Sequence, residues 1–479
     1  MSTKPNNLVP GHSARLMGVA LLSIVLFIAA GCGSSAPPAA IEPTAADTTA
    51  EQPAAGQPAA DQPTTASDLP FLGELPATAV QATQAPAASA TPAATPTAQA
   101  TATAEGGVVA VAPVALEVDR SATPAPFDGI TQPRYEKSEC SDKYPCNDDV
   151  AGWEARIQVP AGFAATYYAR VEGQPNVITF GPDGLLYVAT MAGEIFTIEA
   201  GGEPQLYSDG FLAPAGLTFQ PGTARLYVAS RLIDLNVDGE ARLAVVEDGV
   251  VTDLITGIPC CYTAMHSANG IAFGPDGFGY MAVGARADHG EILAGPNTGE
   301  QDELHPWEAS ILRFSPDGTT VETYARGLRN NYDIAWDADG NLFGTDNMPD
   351  FGPPEEFNLI VPGGEHGYPW YDCAVCFPAP ADVDIVEPLH TFVPHASPTG
   401  ITAYLDDAFP GFYNSLFVTL WSAFPEAQRV EWFSPGGEET ATFATGFAAP
   451  IDLTVGPDGA LYVADWATGI IFRIAYMGE

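Results

Sequence analysis

His266, the Arg329-Asn330 pair and the acidic run from Asp346 to Asn358 are the residues of this 479-residue chain best suited to chemistry. An imidazole titrates near neutral pH and can move a proton. A guanidinium offers a planar fork that matches carboxylates. Clustered carboxylates and carbonyls are hard oxygen ligands of the kind calcium prefers. A second oxygen-rich stretch, Asp234-Leu235-Asn236-Val237-Asp238-Gly239-Glu240, spaces Asp234, Asn236 and Asp238 alternately and carries the glycine of a calcium loop. Its twelfth position holds Val245 rather than Glu and no helices flank it, which leaves either a lone inter-strand ion or a polar hairpin. Blander readings stand beside the others: a histidine bonded to a backbone carbonyl, Arg329 as a structural ion-pair partner, and a solvated acidic loop.

A repeated phrase must position these residues. Ile178-Thr179-Phe180-Gly181-Pro182-Asp183-Gly184-Leu185-Leu186-Tyr187-Val188 is an apolar run, a Pro-Asp-Gly turn and a second apolar run. The phrase returns from Ile271, Ile334 and Leu453, with weaker versions at Leu217 to Val228 and Ile401 to Val418. Each reads as a hairpin, and six at this spacing leave room for two outer strands each, among them Glu194 to Glu199, Arg242 to Glu247, Ser310 to Phe314 and Ile470 to Ala475. The expectation is an all-β, six-bladed β-propeller of four-stranded blades. His266 and Arg329-Asn330 stand just ahead of two of these phrases, which points to a site at the propeller's centre.

The N-terminal third reads differently. Lys4 and Arg15 precede an uncharged run from Leu16 to Ala30 that ends in Ala-Ala-Gly-Cys, so residues 1–32 resemble a bacterial lipoprotein signal with Cys32 as the lipidated residue. A plain secretory peptide is the competing reading, and both place the mature protein outside the cytoplasm, at the cell surface or in the periplasm. Residues 33–127, rich in Ala, Pro and Thr, lack the apolar bulk to offset the entropy of ordering and read as a disordered tether. Residues 128–479 form the propeller, with a Cys-containing extension at 128–150. The formal net charge is −42 and no Lys follows Lys143. Nucleic acid and anionic membrane surfaces are thereby excluded as partners, the lipid anchor aside.

After Cys32, six cysteines remain, in close sequence pairs: Cys140/Cys146, Cys260/Cys261 and Cys373/Cys376. An even number in an exported chain favours disulfides, though fifteen pairings are possible. Cys373-Ala374-Val375-Cys376 can also be redox-active or half of a zinc site. It lacks the following His of covalent haem attachment.

From His266 to Gly284, through Tyr324-Ala325-Arg326-Gly327-Leu328-Arg329-Asn330, Glu355-Glu356-Phe357-Asn358, Gly363-Gly364-Glu365-His366-Gly367-Tyr368-Pro369 and His395-Ala396-Ser397-Pro398-Thr399-Gly400, the chain resembles the glucose/sorbosone dehydrogenases, the soluble pyrroloquinoline quinone (PQQ) sugar dehydrogenases. The resemblance covers roughly Ile157 to Ile474. It implies His266 as the general base that takes a proton from a sugar hydroxyl while hydride passes to the quinone. It implies Arg329 and Asn330 as PQQ contacts, backbone carbonyls at Gly352-Pro353 as ligands of a calcium ion, and Glu355, Glu356 and Asn358 beside a neighbouring ion. A cytochrome or another surface carrier would take the electrons.

The chain departs from the family in two places. The fifth-blade stretch Leu416 to Ala423 has no Lys, and Ala448-Ala449-Pro450-Ile451-Asp452-Leu453 has no Arg. Two cations facing a tricarboxylate are missing, at ~1.5–3 kcal/mol for each charged hydrogen bond. Trp421 can compensate by stacking on the quinone. Two other functions therefore remain open: a non-catalytic surface propeller that binds carbohydrate or protein, and a calcium-dependent lactonase-type hydrolase.

Overall fold

Each Pro-Asp-Gly phrase closes a hairpin in the computed structural model, which describes residues 150–478 except 236–238, 263–265, 293–299, 372, 374 and 423–425. The signal and tether segments, Cys32, Cys140, Cys146, Asn236 and Asp238 lie outside the described residues. In blade one the Asp183 carboxylate caps the turn at Leu185 N (3.1 Å) and accepts the Tyr187 hydroxyl (2.9 Å). Asp276 repeats this with Phe278 and Tyr280, and Asp458 with Ala460 and Tyr462. Gly184 follows at φ 78°, a left-handed conformation open to glycine at little cost.

The same phrase makes the joint between blades. The tyrosine that caps one turn packs edge-on against the aromatic residue ending the next blade's inner strand. Tyr187 meets Phe219 with ring centroids 4.9 Å apart, Tyr227 meets Phe273 at 5.0 Å and Tyr280 meets Trp336 at 4.9 Å. Such pairs contribute about 0.5–1.5 kcal/mol each beyond simple burial. Tyr462 of the sixth blade meets Phe180 of the first at 4.8 Å, so the same contact joins the last blade to the first.

The described strands form six four-stranded antiparallel sheets, as the sequence repeat predicts. Their inner strands are Pro175–Phe180, Leu212–Phe219, Ala268–Phe273, Asn331–Trp336, Pro398–Tyr404 and Pro450–Val455. The four outer-strand expectations fall on strands Ile195–Ile198, Gly239–Glu247, Ser310–Phe314 and Ile470–Tyr476. Closure uses a strand that the repeat does not announce: Phe163–Arg170, from the N-terminal side, pairs with Ile470–Tyr476 and completes the sixth blade. A short helix, Val150–Arg156, precedes it and buries Trp153 against the core shared by blades five and six. Among the described residues no helix is long and apolar enough to cross a membrane.

Polar stitches hold the ring of inner strands. Asn176 Nδ2 donates to Pro214 O (2.7 Å), Asn269 Nδ2 to Asn331 O (3.0 Å) and Thr419 Oγ1 to Ile451 O (3.1 Å). Asp333 accepts Ile401 N (3.0 Å), and Asp452 accepts Ile178 N (2.7 Å) across the closing joint. Such close approach requires glycine on the facing strands. A Cβ on Gly270 would lie 2.1 Å from Asp333 Oδ1, and one on Gly400 would lie 2.2 Å from Asp452 Oδ1.

Gly270→Ala and Gly400→Ala are therefore each expected to destabilise the propeller by about 1–3 kcal/mol or more. Thermal unfolding followed by circular dichroism measures this; an unchanged melting temperature would contradict the close packing of these strands.

Candidate functional site

The residues leading into the inner strands converge at one end of the ring. His266 comes just before the third blade's inner strand, and Arg329 and Asn330 just before the fourth's. Together with Tyr332, Asn347, Met348, Asp350, Glu355, His395, Ser397, Thr399, Trp421 and Ile451 they line a cavity of about 190 Å³. The predicted base, the predicted Arg-Asn pair and Trp421 thus share one cleft.

His266 is buried, and its Nδ1 lies 3.2 Å from the Ala285 carbonyl oxygen. A carbonyl can only accept, so Nδ1 carries the hydrogen and Nε2 keeps its lone pair. Burial, then the Arg329 charge, holds the imidazole well below its usual pKa. The ring sits edge-on to Tyr262 at 5.2 Å. The bond to a backbone carbonyl that the sequence offered as a blander role is present, and it orients the ring.

Arg329 and Asn330 are set by one buried side chain. The Asp346 carboxylate accepts both backbone N–H groups, from Arg329 at 2.9 Å and from Asn330 at 2.7 Å. Ala285 joins this pair to the imidazole: its N–H donates to Arg329 O (2.7 Å) while its carbonyl holds His266. The Arg329 guanidinium is largely engaged within the protein. Nη2 pairs with Asp288 Oδ1, Nε donates to Asp288 O (3.0 Å) and Nη1 to Asn347 O (2.7 Å). The ion-pair role and the cleft-lining role coincide in one residue.

Blade six repeats the clamp with different side chains. Asp465 accepts Ala448 N (2.7 Å) and Ala449 N (3.0 Å), as Asp346 accepts Arg329 and Asn330. The backbone cradle survives there while its side chains are methyl groups. Ile451, one residue ahead of Asp452, lines the cleft where the family resemblance expects a cation nearby. In blade five Trp421 lines the cleft; its indole N–H is buried without a partner, and its ring packs edge-on to Trp466 at 5.5 Å.

The acidic segment contributes unequally. Glu355 is buried and spans two loops, accepting Met348 N (2.7 Å) and His395 N (2.8 Å). Glu356 accepts Asn358 Nδ2 at 3.1 Å. Burial pushes Glu355 and Glu356 up to about 7, and burial followed by the Glu356 charge holds Asp346 well above the usual carboxylate range. The solvated-loop reading therefore fails for Glu355, Glu356 and Asn358, all of which are buried. Gly352 N closes a turn onto Pro349 O (2.9 Å), and neither Gly352 nor Pro353 lines the cleft.

Of the other calcium candidate, Asp234 follows strand Leu226–Ile233 and pairs with Arg231, while Asn236 and Asp238 lie outside the described residues. Cys260 and Cys261 are named by the sequence as a candidate disulfide pair. Neither lines the cleft; both are fully buried in the apolar core shared by blades two and three, with their sulfurs joined to each other. Cys261 instead serves the fold: its N–H donates to Leu235 O (3.4 Å), tying the end of strand Val250–Cys260 to the segment that holds Asp234. Adjacent apolar side chains on neighbouring strands draw both cysteines into the core, away from the polar end of the ring. Cys373 and Cys376 are likewise joined, in a loop outside the cleft lining.

The sequence marks Asp346 only as the head of the acidic run; its clamp on Arg329 and Asn330, and the roles of Asp288 and Ala285, depend on neighbours far along the chain. Sequence reasoning did not single out His395, held at the cleft with φ 64°.

Fold and cleft define a six-bladed propeller with a neutral histidine at a central site. The sequence profile of the glucose/sorbosone dehydrogenase family matches residues 241–473. No curated protein matches the chain. Three solved structures share the fold, each over 99% of its own length. A putative glucose dehydrogenase of Thermus thermophilus is 22% identical over 65% of this chain, with a TM-score of 0.50. The PQQ-bound aldose sugar dehydrogenase of Streptomyces coelicolor is 19% identical over 66%, at 0.50. The apo-form soluble aldose sugar dehydrogenase of Escherichia coli is 17% identical over 66%, at 0.52.

The burial of His266 has a measurable consequence. Its imidazole should remain neutral on acidification past pH 6.5, and Arg329→Met should raise its pKa by removing a neighbouring charge. A depressed folded pKa means that the unfolded chain binds the proton more readily, so this group lowers stability as pH falls below about 6.5. NMR titration of the ring measures both effects; a His266 pKa at or above the ordinary value would contradict the site as described.

Proposed function

We propose that the protein oxidises an aldose or related sugar by hydride transfer to PQQ, with His266 as the general base. The observation that carries this reading is the neutral imidazole, its Nε2 lone pair unclaimed, in one cleft with Arg329, Asn330 and Trp421. The family match of residues 241–473 and the PQQ-bound Streptomyces relative support it.

The residues present fit such a cofactor at one end. Arg329, with donors left beyond its three internal bonds, and the Asn330 amide suit a carboxylate, and the unpartnered Trp421 N–H is a further donor. When bound, PQQ supplies the electrophilic carbonyl that accepts hydride. His266 Nε2 takes the sugar hydroxyl proton, and the Ala285 carbonyl steadies the imidazolium through Nδ1–H. Arg329, stiffened by Asp288, keeps its plane fixed. Glu355 holds the Met348 and His395 loops at the mouth. Buried acids at Asp346, Glu355 and Glu356, with little to offset their charge, favour a calcium ion in this region, alongside the carbonyls of Gly352-Pro353.

In this reading the chain is an extracytoplasmic lipoprotein anchored at Cys32, its cysteine pairs are disulfides, and electrons leave to a cytochrome or other surface carrier. A non-catalytic carbohydrate-binding propeller is the second reading. It is favoured by the Ala448-Ala449 cradle and by the engagement of Arg329 with Asp288.

Protein supplied with PQQ and calcium should reduce a dye in the presence of an aldose, and His266→Ala should lose about 10²–10⁴-fold in rate. An active His266→Ala protein would sink the mechanism; absence of turnover with intact sugar binding would support the second reading. Calcium at about 100 times its Kd should add roughly 2.7 kcal/mol of stability, read as a rise in melting temperature that a chelator reverses.

A further inference from the structure

We propose that Cys373, Cys376 and His289 form a redox-gated site for a zinc-type divalent cation, separate from the sugar cleft. The sequence offers half of such a site as a Cys-x-x-Cys pair, and the fold supplies a third ligand from 84 residues upstream (373 − 289). One ligand atom from each of the three side chains lies within 4.8 Å of the others. Among the described residues this is the one group of three His, Cys, Asp or Glu donors that converges so closely.

The donor set selects the metal class. Two thiolates and an imidazole suit zinc, cobalt or cadmium and do not suit calcium or magnesium. A metal-bound imidazole keeps its second nitrogen on a carbonyl or carboxylate, and His289 has both partners in place. Nε2 lies 2.6 Å from the Asp350 carbonyl oxygen, and Nδ1 lies 3.3 Å from Asp288 Oδ2. Binding through Nδ1 gives up the longer contact and keeps the shorter. Three protein ligands leave a fourth position open, the arrangement of zinc sites that bind water or a small ligand. Cys373 and Cys376 also line a cavity of about 430 Å³ with Trp370, Tyr371 and Ile385, which gives that position room.

Entry of the metal is gated because the two sulfurs are joined in the structure. A dithiol reductant donates two electrons and two protons, yielding the Cys373 and Cys376 thiols and the reductant's own disulfide. The two thiols then release two protons to the solvent as both sulfurs bind the divalent ion. Asp288 links the site to the cleft, since its other oxygen pairs with Arg329.

The test titrates cobalt(II) into the full chain before and after treatment with a phosphine reductant. The expected result is thiolate-to-cobalt charge-transfer absorption with one equivalent per chain, in the reduced protein alone, displaced by zinc. Cys373→Ser/Cys376→Ser should abolish the band, and His289→Ala should weaken binding by at least about tenfold. Three outcomes would each overturn the proposal: no thiolate band in the reduced wild type, a band that survives in the double serine variant, or affinity unchanged by His289→Ala. The oxidised and reduced measurements use wild-type protein, so the comparison does not depend on any variant folding.

Discussion

Everything in this molecule depends on one joint, where Phe163–Arg170 pairs with Ile470–Tyr476 and places the two ends of the propeller in a single sheet. A ring of blades gains its mutual packing only when the last blade meets the first. Asp452 accepting Ile178 N and Tyr462 packing on Phe180 make the same closure at the inner strands. Four blades can then aim residues at a common point: His266, Arg329 with Asn330, Trp421 and Ile451 come from blades three to six.

Charge within the cleft is arranged sparingly. His266 is neutral because burial and Arg329 disfavour its protonated form, and Arg329 is tolerated because Asp288 shares its charge. Each arrangement has a cost. A guanidinium already bound to a carboxylate and two carbonyls gives less to an incoming anion than a free one would. Buried Asp346 sets the Arg329-Asn330 backbone at the expense of a raised pKa, a position that a nearby cation would relieve. The chain's strong negative charge and the methyl groups at Ala448 and Ala449 run the same way, leaving the cleft few cations of its own.

The fold was legible in the sequence because one short phrase encodes three contacts: the turn cap, the tyrosine hydroxyl bond and the aromatic joint to the next blade. The His266, Arg329, Asn330 and Trp421 cluster was legible for the same reason, since repeat position fixes which end of a blade a residue occupies. The clamp made by Asp346 and the contacts of Asp288 and Ala285 escaped because the partner of a carboxylate or a backbone group is a matter of three-dimensional neighbours. Gly352, expected with Pro353 to offer carbonyls to an ion, closes a turn onto Pro349 beside the cleft lining. The closing strand was missed because Phe163–Arg170 carries no Pro-Asp-Gly phrase, its partner strand lying some three hundred residues away.

The measurement that tests this account most directly is an absorbance titration of the protein with PQQ, with and without calcium. The account predicts saturable binding that requires calcium, because the ion replaces charge that blades five and six do not supply. Absence of binding at high micromolar PQQ in the presence of calcium would contradict it, and would mean that the propeller retains the histidine and the cleft but serves another ligand.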